Sequence, residues 1–376
     1  MKLPRALEDR LSDVLHDRLT QRFVDRRTAS LLRSMRERGE LEAAVEPDGA
    51  VLVDGERVGR VEGLRFAPEP GGGEFGRRML AAAARRAVGR ELGRRARALE
   101  DAADETLSLD GEALVLWGRQ PVARLLAGTD PLRPRIAPLV ADDHGSGLGA
   151  RVTRRVERWL EGWLGRRLGP LHALRAAAEG DRLGGPARGI AWRIVEGLGS
   201  AERAPVEELL ASLAEADRVR LAELGVRFGR AWLYLPQLLK AGPVEARARL
   251  LALARPPGPP LPPPGATVLR GSALPSDPGL TAALGFAPLP GLALRQDVFE
   301  RLAAGLRARA RASGAFPLPV DLAAAAGLAR AELEACLPAL GFAAVELDGQ
   351  RLWARAPTGR PRGSRPRAGA VRPRPD

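Results

Sequence analysis

The sequence predicts an α+β protein, mainly α with small β-hairpins: a helical platform followed by a winged-helix-like C-terminal module. Three observations carry this. Apolar residues recur at three- to four-residue spacing over most of the chain. Short apolar runs flank glycine turns at two separate places. A proline run then divides the helical region from a final compact pattern.

Residues 6–46 read as helical, with Leu7, Leu11, Val14, Leu15 and Leu19 on one stripe and Leu31, Leu32, Met35 and Leu41 on the next. A hairpin follows, because Val51-Leu52-Val53 and Arg57-Val58 flank Asp54-Gly55, and this pair supplies the positive φ angles of a tight turn. Residues 74–102 form an Arg-rich helix. A second hairpin comes at Leu114–Trp117, Gly118 and Val122–Leu126. The hairpins share a pattern, Asp48-Gly49 with Val58-Gly59-Arg60 in the first and Asp110-Gly111 with Val122-Ala123-Arg124 in the second. This is either an internal helix-plus-hairpin repeat or a coincidence of short patterns.

The region 136–255 reads as helical, with segments near 150–180, 187–198, 205–224 and 243–254. The run Pro256–Pro264 reads as a stiff linker over 256–267. In 268–356, helices at 297–311, 320–326 and 330–340 precede a hairpin at Ala344–Leu347 and Arg351–Ala354, which is winged-helix order. The tail 357–376 carries Arg360, Arg362, Arg365, Arg367, Arg372 and Arg374 against Asp376 and reads as disordered. The domains so predicted are 1–46, 47–135, 136–255 and 268–356, with that linker and tail.

Composition narrows the function. The 376 residues hold 59 Lys+Arg against 46 Asp+Glu, a net charge of +13. Only Lys2 and Lys240 are lysines, a bias that marks a GC-rich genome, yet the excess charge still needs solvent or an anionic partner. A single cysteine, Cys336, excludes a disulfide framework and a Cys-based zinc site, and His16, His144 and His172 are too dispersed for a histidine site. No apolar run approaches the ~18 residues of a membrane span, and no signal core follows Met1, so a cytoplasmic protein without membrane contact is expected. There is no Walker A loop or nucleophile elbow, and Asp142-Asp143-His144 has the wrong spacing for a helicase box. No catalytic residue, metal site or cofactor is therefore assigned in this chain.

The binding signals are cationic. Arg78, Arg86, Arg90, Arg94 and Arg97 fall near one face of the 74–102 helix, while Leu80, Ala84, Val88, Leu92 and Leu99 fall on another. One face can pack while the other meets phosphates, releasing counterions. The alternative is a solvated face in an Arg-biased proteome. A second stripe, Arg151, Arg155, Arg158 and Arg166, lies near Trp159 and Trp163, which are either stacking platforms or core. In the C-terminal module Arg330 is outnumbered by Glu332 and Glu334, a poor composition for reading bases. The segment Leu224–Lys240 adds Arg227, the only tyrosine, Tyr234, and Lys240 as candidate strand or partner contacts.

Several stretches together resemble the region that follows the motor core in alphaproteobacterial helicase-like proteins, themselves similar to DExH helicases of the mitochondrial RNA-degradosome type. These are Leu15–Thr28, the paired V-[GA]-R hairpins, Asp130–Arg135, Ala187–Ala191 and Gly225–Gly229 through Leu239-Lys240. The resemblance implies an accessory platform that guides a nucleic-acid strand, RNA or DNA, leaving a motor. In such proteins two RecA-like ATPase domains come first. This chain lacks their motifs, so an ATPase motor would act in trans, or the chain would be a truncated or split helicase product. The expectation is an accessory nucleic-acid-binding region without sequence readout. The rival is a protein-interaction scaffold that docks a separate motor or nuclease.

Overall fold

The computed structural model describes residues 42–69, 74–140, 147–347 and 349–356, with side chains within the helix that starts at Glu74 described from residue 84. The helices predicted in 6–41, Asp142-Asp143-His144 and the tail from Pro357 lie outside the described residues. Two compact units emerge, Met1–Arg166 with Arg249–Gly258, and Arg167–Ala248 with Pro259–Asp376. The protein is α+β, with helices and small antiparallel sheets.

The first unit holds two four-stranded meanders: β1 (Ala43–Val45), β2 (Ala50–Val53), β3 (Glu56–Glu62) and β4 (Arg65–Pro68), then helix α1 (Glu74–Asp101), then β5 (Leu107–Leu109), β6 (Leu114–Trp117), β7 (Gln120–Leu126) and β8 (Arg135–Pro138). They match in detail. Both have a β-bulge in the second strand, at Val51/Leu52 and Val115/Leu116. In both, the third strand buries the same alternation, Val58, Gly59 and Val61 in one and Val122, Ala123 and Leu125 in the other. Equivalent backbone bonds recur, Val61 N–H to Gly49 O and Leu125 N–H to Ala113 O, each 2.8 Å. Arg60 donates to the carbonyl of Asp48 as Arg124 does to that of Glu112. The repeat is structural, and it comprises whole sheets rather than hairpins. Residues 43–45 are a strand and not a helix end, because their amides and carbonyls pair with Val51–Val53.

The repeat exposes one strained position. Gly49 has φ +92°, and its counterpart Ala113 has φ +63°. A Cβ on Gly49 would stand 2.7 Å from the carbonyl of Val61. We expect Ala113→Gly to stabilise by up to about 1 kcal/mol and Gly49→Ala to destabilise by at least about 1 kcal/mol, since only glycine enters the left-handed region freely. Thermal melts of the two variants check both signs.

Helix α1 packs Ala84, Ala87, Val88, Leu92, Ala96 and Leu99 inward. Its C-terminus is closed by the next helix, α2 (Leu148–Glu179): Arg155, 3 % exposed, donates to the carbonyls of Leu99 (3.1 Å) and Ala102 (2.7 Å) and pairs with Asp104. A cation here suits the negative end of the helix dipole and satisfies the carbonyl of Ala102, while that of Leu99 also accepts the Ala102 N–H. The helix α2 kinks at Leu168, two residues before Pro170, whose ring and missing N–H interrupt the ladder.

The second unit continues with α3 (Gly185–Glu196), β9 (Ser200–Glu202), α4 (Glu207–Ala211), α5 (Glu215–Glu223), β10 (Arg227–Phe228), β11 (Trp232–Tyr234) and α6 (Ala241–Ala254), whose last turns belong to the first unit. The single helix expected over 205–224 is broken at Ser212–Ala214. The Ser212 hydroxyl bonds back to the carbonyls of Glu208 and Leu209 and competes with continuation of the helix. The proline run forms neither helix nor strand, and Pro259 and Pro262 in it are buried.

Then come β12 (Val268–Arg270), α7 (Pro278–Ala283), β13 (Phe286–Leu289), β14 (Leu292–Arg295), α8 (Gln296–Ser313), β15 (Ala315–Phe316), α9 (Val320–Ala326), α10 (Arg330–Cys336), β16 (Phe342–Leu347) and β17 (Gln350–Arg355). An apolar cluster from Trp232 through Phe299, Leu306, Phe316 and Leu333 to Trp353 holds them together. Arg247 is 0 % exposed and has no carboxylate partner among the described residues. Nη1 donates to the carbonyls of Leu198 (3.2 Å) and Ala283 (2.9 Å), Nη2 to those of Leu238 (2.6 Å) and Leu284 (3.0 Å), and Nε to that of Pro243 (3.4 Å). Burial pulls its pKa down to about 9, which leaves it charged at neutral pH.

The acidic residues of α10 are engaged within the unit. Glu332 accepts from Arg270 Nε (2.5 Å) and Nη2 (2.8 Å) and from the Ala329 amide (2.7 Å), and Glu334 pairs with Arg351. The Arg270 guanidinium first, then the amide, hold the Glu332 carboxyl down to about 2 from its ordinary 4.5. Because the folded value is the lower one, the stabilisation is complete above the unfolded value and is lost as pH falls from about 4.5 toward 2. Glu332→Gln should flatten this part of the acid-denaturation curve relative to wild type.

Candidate nucleic-acid interface

The long helix carries the stripe that the sequence predicts. Arg86, Arg90, Arg94 and Arg97 are exposed on the face opposite the buried one. Arg78 lies in the same helix, and its side chain is outside the described residues. Arg90 and Arg97 have no acidic partner among the described residues. Arg94 has one, donating through Nε (2.8 Å) and Nη2 (2.7 Å) to Glu91. Glu91 also accepts from Arg95 (2.7 Å), and hydrogen bonds from Arg94 first, together with Arg95, lower its pKa to about 2.

Arg94 is where the stripe meets a groove of about 1140 Å³ between the two meander sheets. Its walls are the β3–β4 segment of the first repeat and the β6–β7 turn of the second, and α1 contributes Arg94, Arg95 and Ala98. Five arginines line it, Arg60, Arg65, Arg94, Arg95 and Arg119, against Asp48 and Glu62. Phe66 and Trp117, one from each repeat, stand in the lining half-buried.

The cations divide by role. Arg95 donates to the carbonyls of Val61 (3.1 Å) and Gly63 (3.2 Å) and pins α1 to the first sheet. Arg60 is held by Asp48 O at 2.9 Å. Arg65 and Arg119 are exposed, with no acidic partner among the described residues. A pair of fixed arginines thus shapes the groove, Arg65 and Arg119 can turn their guanidinium forks to an anion, and Arg94, exposed but held by Glu91, can meet one by exchanging that carboxylate for it. Guanidinium suits phosphate because its planar donors match two oxygens at once.

The other nominated residues lie elsewhere. Arg227 and Lys240 are exposed in the second unit. Tyr234, paired with Arg227 across β10 and β11, is 8 % exposed and packs in the apolar cluster. It is a core residue rather than a surface contact, because its strand is covered on the side its ring occupies. Burial first, then Asp297 and Glu300, push its hydroxyl pKa up. Trp159 and Trp163 are likewise core, their ring centroids 6.2 Å apart, and Arg151 and Arg155 of that stripe are held by Glu100 and the α1 C-terminus.

Sequence reasoning missed Arg60, Arg65, Arg119, Phe66 and Trp117 as one site. The signal was present in the repeat: two copies of one sheet in one unit create a cleft between them.

Among the described residues no group of His, Cys, Asp and Glu could hold a metal ion, and no helix is long and apolar enough to cross a membrane. No protein-family model matches the chain, and neither a curated protein nor a solved structure matches it.

Proposed function

We propose that this protein binds nucleic acid, RNA or DNA, without sequence readout, as the accessory region of a helicase-like system whose ATPase motor acts in trans. The observation that carries this is the groove between the meanders, where five arginines face two carboxylates and Phe66 and Trp117 offer ring surfaces. Phosphates pair with the guanidinium groups, and bases of a single strand stack on the rings. From Arg94 the exposed stripe extends the cationic track along α1 through Arg90, Arg86 and Arg97.

The order α8, α9, α10 and the β16–β17 hairpin supports a winged-helix-like module in the second unit. With Glu332 and Glu334 engaged by Arg270 and Arg351, α10 is a scaffold helix rather than a reader of base edges.

The test is fluorescence anisotropy of the full chain, and of the chain ending at residue 356, with labelled single- and double-stranded DNA and RNA from 50 to 200 mM salt. The expected result is binding by both proteins that weakens steeply with salt, with single strands preferred. Binding that vanishes with residues 357–376, or that ignores salt, would overturn the groove as the site and leave the scaffold reading in its place.

A further inference from the structure

A second cationic centre lies in the second unit, built on one face of α8. Glu300, Arg307 and Arg311 stand at i, i+7 and i+11, so they lie within about 40° of one another around the axis. Glu300 fixes what this face meets. Its carboxylate accepts the backbone N–H groups of Arg230 (2.9 Å), Ala231 (2.7 Å) and Trp232 (2.9 Å), which seats the β10–β11 turn, and Arg230 with it, on the helix. At the other end, Ala315 follows the helix cap Gly314 and pairs with Ala354, which places Arg355 beside the last turn. Arg230, Arg311 and Arg355 therefore flank Arg307, and the one carboxylate beside it, Glu300, is already occupied by three amides.

This charge is not balanced within the unit. Nε and Nη2 of Arg307 are buried and have no hydrogen-bond partner. No acidic side chain pairs with Arg230, Arg311 or Arg355 among the described residues. Arg311 alone would be ordinary, since a cation suits a helix C-terminus. Arg307 is not: buried donors are costly unless an acceptor arrives, and its burial and the arginines around it both disfavour its charge. A group with several anionic oxygens would satisfy the orphaned donors and offset the mutual repulsion together. Phosphate has that chemistry.

We propose that Arg230, Arg307, Arg311 and Arg355 form a phosphate-binding site, filled by the backbone of a nucleic acid or by a free polyphosphate. The site does not depend on the groove of the first unit, so each can fail alone.

The experiment uses the full chain with two probes, inorganic pyrophosphate in thermal melts and a labelled single-stranded oligonucleotide in anisotropy. Arg307→Met removes the fork while keeping the bulk, and Arg355→Gln does so at an exposed position, where folding is not in question. Pyrophosphate should raise the melting temperature of wild type, and the rise should be lost or halved in both variants. If oligonucleotide affinity also falls several-fold, with the salt slope reduced by about one per lost contact, the ligand is a nucleic-acid backbone. If it does not, the ligand is a free polyphosphate. The R65Q/R94Q/R119Q protein should keep the pyrophosphate effect. Variants that retain both the wild-type pyrophosphate effect and wild-type oligonucleotide affinity would overturn the proposal, as would an equal effect from polyglutamate.

Discussion

Arg247→Met is expected to lower the melting temperature of the second unit by roughly 10 °C. Methionine nearly fills the volume, so the loss is not a cavity effect. Four main-chain carbonyls from three other segments, Leu198, Leu238 and Ala283 with Leu284, lose their donors together. Each buried orphan costs about 1–3 kcal/mol, offset in part by no longer burying a charge, for a net of about 3–5 kcal/mol. At about 2–4 °C per kcal/mol for a unit of this size, that gives the expected drop. Arg247→Lys should lose nearly as much, because three donors on one nitrogen cannot span carbonyls that the guanidinium reaches from three nitrogens. Scanning calorimetry of the three proteins decides it. A methionine variant that melts like wild type would mean those carbonyls find other donors.

The triple variant R65Q/R94Q/R119Q should bind a single-stranded oligonucleotide about 100-fold more weakly than wild type near 0.15 M salt. Each phosphate contact contributes about 0.7 to 0.9 to the slope of log affinity against log salt, so three contacts remove about 2 to 3 from it. These side chains are exposed and hold no part of the core, so melting temperature should stay within a few degrees of wild type. Replacing Arg90 and Arg97 instead should cost less, about 10-fold, since only two contacts outside the groove are removed. Unchanged affinity and slope in the triple variant would make the groove ordinary surface. A large drop in melting temperature with unchanged affinity per folded molecule would give the groove arginines a structural role instead.

Much of this was legible in the sequence, wherever the cause is local. The exposed face of α1 follows from 3.6-residue periodicity, which puts Arg86, Arg90, Arg94 and Arg97 opposite Ala84, Val88, Leu92 and Leu99. The tight turn at Asp54-Gly55 follows from its two residues, which take φ +49° and +77°. Helix α9 stops at Gly327, φ +72°, for the same kind of reason.

Tertiary structure decided what those arginines face. Sequence analysis passes over Arg95, which falls off the cationic stripe, yet its guanidinium lies against the carbonyls of Val61 and Gly63, more than thirty residues away in the chain. Tyr234 looked like a surface tyrosine beside Arg227 and is core, because β11 is buried on both faces, which its spacing does not reveal. Arg247 reads as one more arginine in a chain rich in them, and only the convergence of carbonyls from 198, 238 and 283–284 makes it a buried anchor. The sequence by itself determined periodicity, turns, caps and net charge, which depend on residues a few positions apart. The groove, the orphaned donors of Arg307 and the anchor at Arg247 depend on which distant backbones meet, and that is set only when the sheets and helices pack.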